Sequence, residues 1–264
     1  MKQAQDFHDE CGAIEALLRG VAAEDFARET GFKGWTFNRI LTHLHTFNDA
    51  AFLALEGDEA FKGFVTNLGT KSSKMDMAQI EAEYCGGLTD TALLNLWADF
   101  YPKLADAFAK ADPKARLPWF GPSMSARSSI TARLMETWSH AQAIYDELGL
   151  DRASTDGIEN IAVLGFNTYG WTFKNRKMDA PEPRPRLVLT APSGAEWVMG
   201  EDAGDERITG SAEEFCQVVT QTRNIADTSL LVTGSNAKAW LDIAQCFAGA
   251  PNDPPPPGSR KKRV

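Results

Sequence analysis

The chain has 264 residues, 43% hydrophobic and 24% charged, which suits one large globular domain or two smaller ones. Its 36 acidic and 27 basic side chains leave a formal net charge of −9, which argues against nucleic acid or an anionic membrane as main partner. The opening MKQAQDFHDECG lacks a signal peptide's apolar core, and the longest clean apolar run, AAFLAL at 50–55, is far below the ~20 residues of a membrane span, so a cytoplasmic location is expected.

The first two thirds are written in helical period. QAQDFHDECGAIEALLRGV predicts a first helix, and TFNRILTHLHTFNDAAFLALEG a second, with Thr36 as N-cap and Gly57 as stop. TDTALLNLWADFYPKLADAFAKAD predicts a third, which Pro102 should kink or break. SARSSITARLMETWSHAQAIYDELG predicts a fourth, closed by Gly149, and a shorter helix follows around IENIAVLGFNTYGWTF. Four long amphipathic helices imply a bundle.

The texture then changes. Pro181, Pro183 and Pro185 mark a stiff connector, after which RLVLTA, AEWVMG, ERITG and SLLVTG read as strands. SAEEFCQVVTQT reads as a helix with a capping box of Ser211 and Glu214, and NAKAWLDIAQCFAG as a last helix. The fold class is therefore α+β with two domains: a four-helix bundle over 1–178, a small α+β domain over 179–250, and a proline-rich, basic, disordered tail over 251–264. The four cysteines, widely spaced and without CxxC, are read as reduced thiols.

Within the fourth helix Glu136 and His140 lie four residues apart and share a face. Such pairs are mostly ordinary polar contacts, but Leu134, Met135, Thr137, Trp138 and Ile144 leave little purely polar surface around this one. The second helix carries His43 and His45, about 200° apart around its axis, so only one of the two is expected to face the core. The apolar stripe of Trp35, Ile40, Leu44 and Phe47 does not choose between them. Two histidines and a carboxylate from facing helices would make a metal site with open positions.

GWTFNRILTHL, residues 34–44, resembles the signature of the DinB-like, mycothiol-dependent maleylpyruvate isomerase family, in which a His-Leu follows eight residues after a Trp-Thr helix start. That register selects His43, and ETWSH matches the family's E-x-x-x-H with Glu136 and His140, so the resemblance implies His43, Glu136 and His140 as metal ligands. The second half is similar to the sterol-carrier-protein-like domain attached to many of these isomerases. ITGSAEEFCQVVTQTRN matches the segment whose final arginine is proposed to serve the active site, here Arg223. PWFGPSMSARS, 118–128, looks characteristic of a subgroup described only as metal-binding.

The resemblance implies a divalent metal, zinc first by its taste for imidazole and carboxylate, with nickel, manganese and iron as alternatives. It also implies a low-molecular-weight thiol, mycothiol or similar, as cosubstrate. In such an isomerase the thiol adds to a conjugated double bond, rotation follows, and elimination gives the other geometric isomer. Arg223 would hold the carboxylate of a small anionic substrate, or else sit as an ordinary arginine at a helix end. Arg133, one turn before Glu136, could bridge to it; Trp35, Trp119 and Trp138 are pocket or core residues, and His45 is a polar neighbour of the site or a helix-face residue. The function expected is thiol-dependent isomerisation or S-transfer. A thiol-independent metal hydrolase or lyase, or a non-catalytic binder of metal and a small ligand, are the alternatives, with an iron oxygenase ranked last. The sequence names no oligomeric state.

Overall fold

A computed structural model describes residues 1–72 and 74–263, which group into two compact units, Met1–Ile144 and Tyr145–Val264. Unit 1 contains the four long helices expected: α1 (Lys2–Leu18), α2 (Phe37–Glu56), α5 (Asp90–Lys110) and α6 (Ala126–Glu147), the last running on into unit 2. Between α2 and α5 the chain forms two further helices, α3 (Asp58–Lys71) and α4 (Met77–Tyr84), absent from the sequence reading. Their signal is weak for physical reasons. Gly63 and Gly69 interrupt the Phe61, Phe64, Leu68 stripe of α3, and α4 has only 8 residues. A capping box starts α4: Asp76 accepts from the Gln79 N–H at 2.9 Å and the Gln79 side chain accepts from the Asp76 N–H at 3.0 Å.

The start of α2 is as expected, with the Thr36 hydroxyl oxygen accepting from the Arg39 N–H at 3.1 Å, and Gly57 ends it at a φ of 127°. Helices α3, α4 and α5 all pack on α2. A helix covered on several sides has core in more than one direction, so the expectation that only one of His43 and His45 faces inward is corrected: His45 is the more buried of the two. Pro102 does not break α5, which runs through it as one helix. Phe7, Ile14, Phe37, Ile40, Trp97, Leu104, Ile130 and Trp138 are fully buried in the bundle. A short antiparallel ribbon, β1 (Arg116–Leu117) and β2 (Met124–Ser125), leads into α6.

Unit 2 opens with α7 (Glu159–Asn167) and α8 (Tyr169–Asn175). The sequence predicts one helix there, and it divides at Thr168, whose hydroxyl donates back to the Leu164 and Gly165 carbonyls. Four strands follow as expected: β3 (Arg186–Thr190), β4 (Glu196–Met199), β5 (Arg207–Ser211) and β6 (Leu231–Thr233), in sheet order β4-β3-β5-β6. The β3–β5 pair is parallel and the others antiparallel. Helix α9 (Ala212–Val219), which follows β5, packs on β3 and β5, and α10 (Ser235–Leu241) follows β6. Ser211 caps α9 by accepting from the Glu214 N–H, but the Glu214 carboxylate accepts from the Ser229 N–H and hydroxyl instead of closing the box.

The tail departs from the disorder expected of its composition. The Asn252 amide donates to Gln221 Oε1 at 2.5 Å, the Gly258 N–H to Asp227 and the Arg260 guanidinium to the Gln221 carbonyl, while Arg263 pairs with Glu147. Prolines lower the entropy lost on laying the chain along these acceptors; Val264 lies outside the described residues. The division at 144/145 also falls well before the 178/179 boundary read from composition, because residues after α6 fold with the sheet. All four cysteines are buried and none forms a disulfide. Among the described residues, no helix is long and apolar enough to cross a membrane.

Candidate metal centre

Helix periodicity puts Glu136 and His140 on one face of α6, and packing against α2 brings His43 to them. His140 Nε2 lies 3.2 Å and His43 Nε2 3.6 Å from the same oxygen, Glu136 Oε2. One ligand atom from each of the three falls within 4.8 Å of the others. The side chains are 17% (His43), 26% (Glu136) and 9% (His140) exposed, so the cluster is shielded on its histidine sides and most open at the carboxylate.

An outer ring of side chains holds this cluster. His43 Nδ1–H donates to Glu81 Oε1 at 3.4 Å, and Glu81 Oε2 also accepts from the Arg39 guanidinium. Arg39 stands 4.5 Å over the Trp35 ring, and Trp35 stacks on His140 at 5.2 Å with an interplanar angle of 8°. Phe32 meets His140 edge-on, and Phe47 packs against His43. These aromatics fix the imidazole planes by packing.

Charges in the cluster are coupled. Burial by itself would raise the Glu136 pKa, but the hydrogen bonds from His140 and His43 outweigh it and hold the carboxyl well below the ordinary range. Burial likewise acts to lower His43, and is overcome by its two carboxylate neighbours, Glu136 and Glu81, so its pKa is raised. His140 has only Glu136 against its burial, and the positive charge of His43 opposes it further, so its pKa is lowered. Glu81, disfavoured by burial, is pulled below its ordinary value by His43 and Arg39. An ionised carboxylate beside two imidazoles is a donor set that suits a divalent ion, and three protein ligands leave room for a further one.

The other residues singled out from sequence lie as follows. Trp35 is part of the outer ring, whereas Trp138 is fully buried in the bundle core. Trp119 stacks on Phe61 and meets Phe120, in an aromatic group that reaches His43 through Phe47. Arg133 is buried; its Nε donates to Asn48 Oδ1 at 3.0 Å, and Glu136 acts on it through charge. His45 points to Phe100 of α5, ring centroids 5.3 Å apart, and its buried Nδ1 has no hydrogen-bond partner among the described residues. In unit 2, Arg223 forms a two-pronged fork with Asp146 at 2.7 and 2.6 Å. Glu81, Arg39, Phe32 and Phe47 were invisible as site residues. The only available signal was the one-turn spacing of Trp35, Arg39 and His43 along a single helix face.

Residues 7–145 match the family described as the mycothiol maleylpyruvate isomerase N-terminal domain. Two uncharacterised proteins of Mycobacterium tuberculosis, from strains CDC 1551 / Oshkosh and ATCC 25618 / H37Rv, are each 32% identical over 246 residues, covering 93% of this chain and 95% of theirs. Among solved structures, the crystal structure of the mycothiol-dependent maleylpyruvate isomerase is similar at a TM-score of 0.51 and 17% identity, over 82% of this chain and 87% of that one. A histidine-to-alanine mutant of that enzyme is similar at 0.50. At such identity the structural likeness bears on the fold.

Proposed function

This chain belongs to the family of mycothiol maleylpyruvate isomerase N-terminal domains, and from that premise we propose that it is a metal-dependent enzyme using a low-molecular-weight thiol, mycothiol or similar. Its reaction is isomerisation of, or S-transfer to, a small anionic metabolite. The observation that carries this reading is the convergence of His43, Glu136 and His140.

In this reading His43 and His140 each offer Nε2, and Glu136 offers an oxygen kept ionised by its two neighbours. A divalent ion there, zinc first, supplies a Lewis-acid position that lowers the pKa of a thiol held on it. Trp35, Phe32 and Phe47 keep water from the flanks of the two imidazoles, which strengthens every charge interaction inside. Arg223 enters the proposal as an anion-binding arginine. Since its fork holds Asp146, taking a substrate carboxylate would exchange one carboxylate for another. The second unit, read as sterol-carrier-like, is the part of the proposal that rests on sequence resemblance.

The test is metal content by mass spectrometry on wild type, His43→Ala and His140→Ala, followed by turnover of unsaturated dicarboxylates with and without mycothiol. About one divalent ion per chain, lost in both folded variants, is expected, with turnover that requires the thiol and disappears in His140→Ala. Equal turnover without thiol would convert the reading to a metal-dependent hydrolase or lyase. Folded wild type that takes up no zinc would leave a binding protein without a metal centre.

A further inference from the structure

We infer that Glu81 is the positioning residue of this centre: by accepting the Nδ1 proton of His43 it turns Nε2, as a bare lone pair, toward Glu136 and His140. The inference rests on reading those three residues as a metal site, as proposed above.

Glu81 lies in the middle of α4, whose start is fixed by the Asp76–Gln79 capping box, and is 0% exposed. Its two oxygens have different duties. Oε2 accepts from the Arg39 guanidinium, and Oε1 faces His43 Nδ1 at 3.4 Å. An ionised carboxylate can only accept, so the hydrogen between Glu81 and His43 belongs to the imidazole. A neutral imidazole carries one hydrogen, and placing it on Nδ1 leaves Nε2 free to donate its lone pair. That nitrogen is the one that lies 3.6 Å from Glu136 Oε2. A carboxylate accepting from the far nitrogen of a ligating histidine also makes the near nitrogen a stronger ligand.

Arg39 extends the hold to the second histidine. It keeps Glu81 ionised on one side and stands over Trp35 on the other, and the far neighbour of Trp35 is His140. Three residues outside the ligand set thus orient both imidazoles, from α4, from α2 and from the segment just before α2.

The test has two readouts. Zinc affinity is measured by competition with a chromophoric chelator for wild type, Glu81→Gln and Glu81→Ala. The His43 tautomer is read by 15N NMR of histidine-labelled, metal-free protein at alkaline pH, where the ring is neutral. Glu81→Ala is expected to bind zinc about 10–100-fold more weakly. Glu81→Gln falls between it and wild type, because the amide oxygen still accepts from Nδ1–H. His43 is expected as the Nδ1–H tautomer in wild type and as the Nε2–H tautomer in Glu81→Ala, where Glu136 is the remaining acceptor. A purely structural glutamate would lower the melting temperature and leave the tautomer alone. Wild-type zinc affinity in the folded variants, or an Nε2–H tautomer in wild type, overturns the inference; the wild-type spectrum decides it even if Glu81→Ala fails to fold. Folded wild type that binds no zinc overturns the metal-centre reading instead, a result distinct from either.

Discussion

Each unit contains an arginine–carboxylate pair shielded from solvent, and the two pairs do different work. In unit 2 Arg223 and Asp146 face each other in a fork whose side chains are 14% and 13% exposed. Both oxygens of Asp146 accept from the one guanidinium, which also donates to the Thr222 carbonyl. In unit 1 Arg39 engages one oxygen of Glu81, and the other is turned to His43. The same two chemical groups, guanidinium and carboxylate, make a fastening in one place and a charge relay to a candidate ligand in the other. What separates them is geometry: how many carboxylate oxygens the arginine occupies.

That contrast can be broken at either pair. The largest effect is expected from Asp146→Asn, which leaves the Arg223 charge mostly buried and opposite a neutral amide. Breaking a buried pair costs several kcal/mol, and with both partners slightly exposed a loss of about 3 kcal/mol in urea denaturation is expected. Zinc affinity should stay at the wild-type value, although Asp146 is only six residues after His140; a fall in affinity would erase the distinction between the pairs.

Arg39→Leu should act mainly through pH. In wild type the raised pKa of His43 means that the protonated ring stabilises the metal-free fold fully below the ordinary value of about 6.5. That contribution is lost as pH rises through the raised value. Metal uptake has the opposite sense, since the proton must leave first, so occupancy should rise with pH through a midpoint above about 6.5. With Arg39 gone, the full charge of Glu81 falls on His43, and the midpoint should move upward. Zinc occupancy measured across a pH series checks the sign; a downward shift would mean that Arg39 does not temper Glu81.

The smallest effect is expected from Arg263→Ala. Its partner Glu147 is buried, but Arg263 is 64% exposed and screened by solvent. A loss below about 1 kcal/mol in the same denaturation experiment would match an exposed pair, with no change in metal content.

The legibility of the site followed the range of the interactions that build it. Glu136 and His140 are one helical turn apart, and spacing alone puts them together. The choice of His43 over His45 was open to periodicity and closed by family resemblance, because α2 is covered on more than one side and both histidines are inside. Glu81 was beyond reach. It is 38 residues from His43, on a helix too short to register, and its sequence neighbour Glu83 is just as acidic and sits on the surface with Lys71. Long helices and strands announced themselves through many residues in phase, while α3 and α4 had few. The tail shows the converse error. Its composition reads as disorder, yet specific acceptors on Gln221 and Asp227 and the acid Glu147 hold it.

The end of α6 has a consequence for how such a protein can be taken apart. The family match stops at residue 145, and the compact units divide at Ile144, both inside one unbroken helix. The next two residues, Asp146 and Glu147, are the acids to which Arg223 and Arg263 are fastened. The helix that supplies two candidate ligands therefore also supplies the second unit with its counter-charges. A fragment cut at the apparent domain edge would leave both acids with unit 2, but on a Tyr145–Glu147 stub severed from the helix that holds them, so a shuffled gene that exchanged one module would have to carry the last turns of α6 with the sheet.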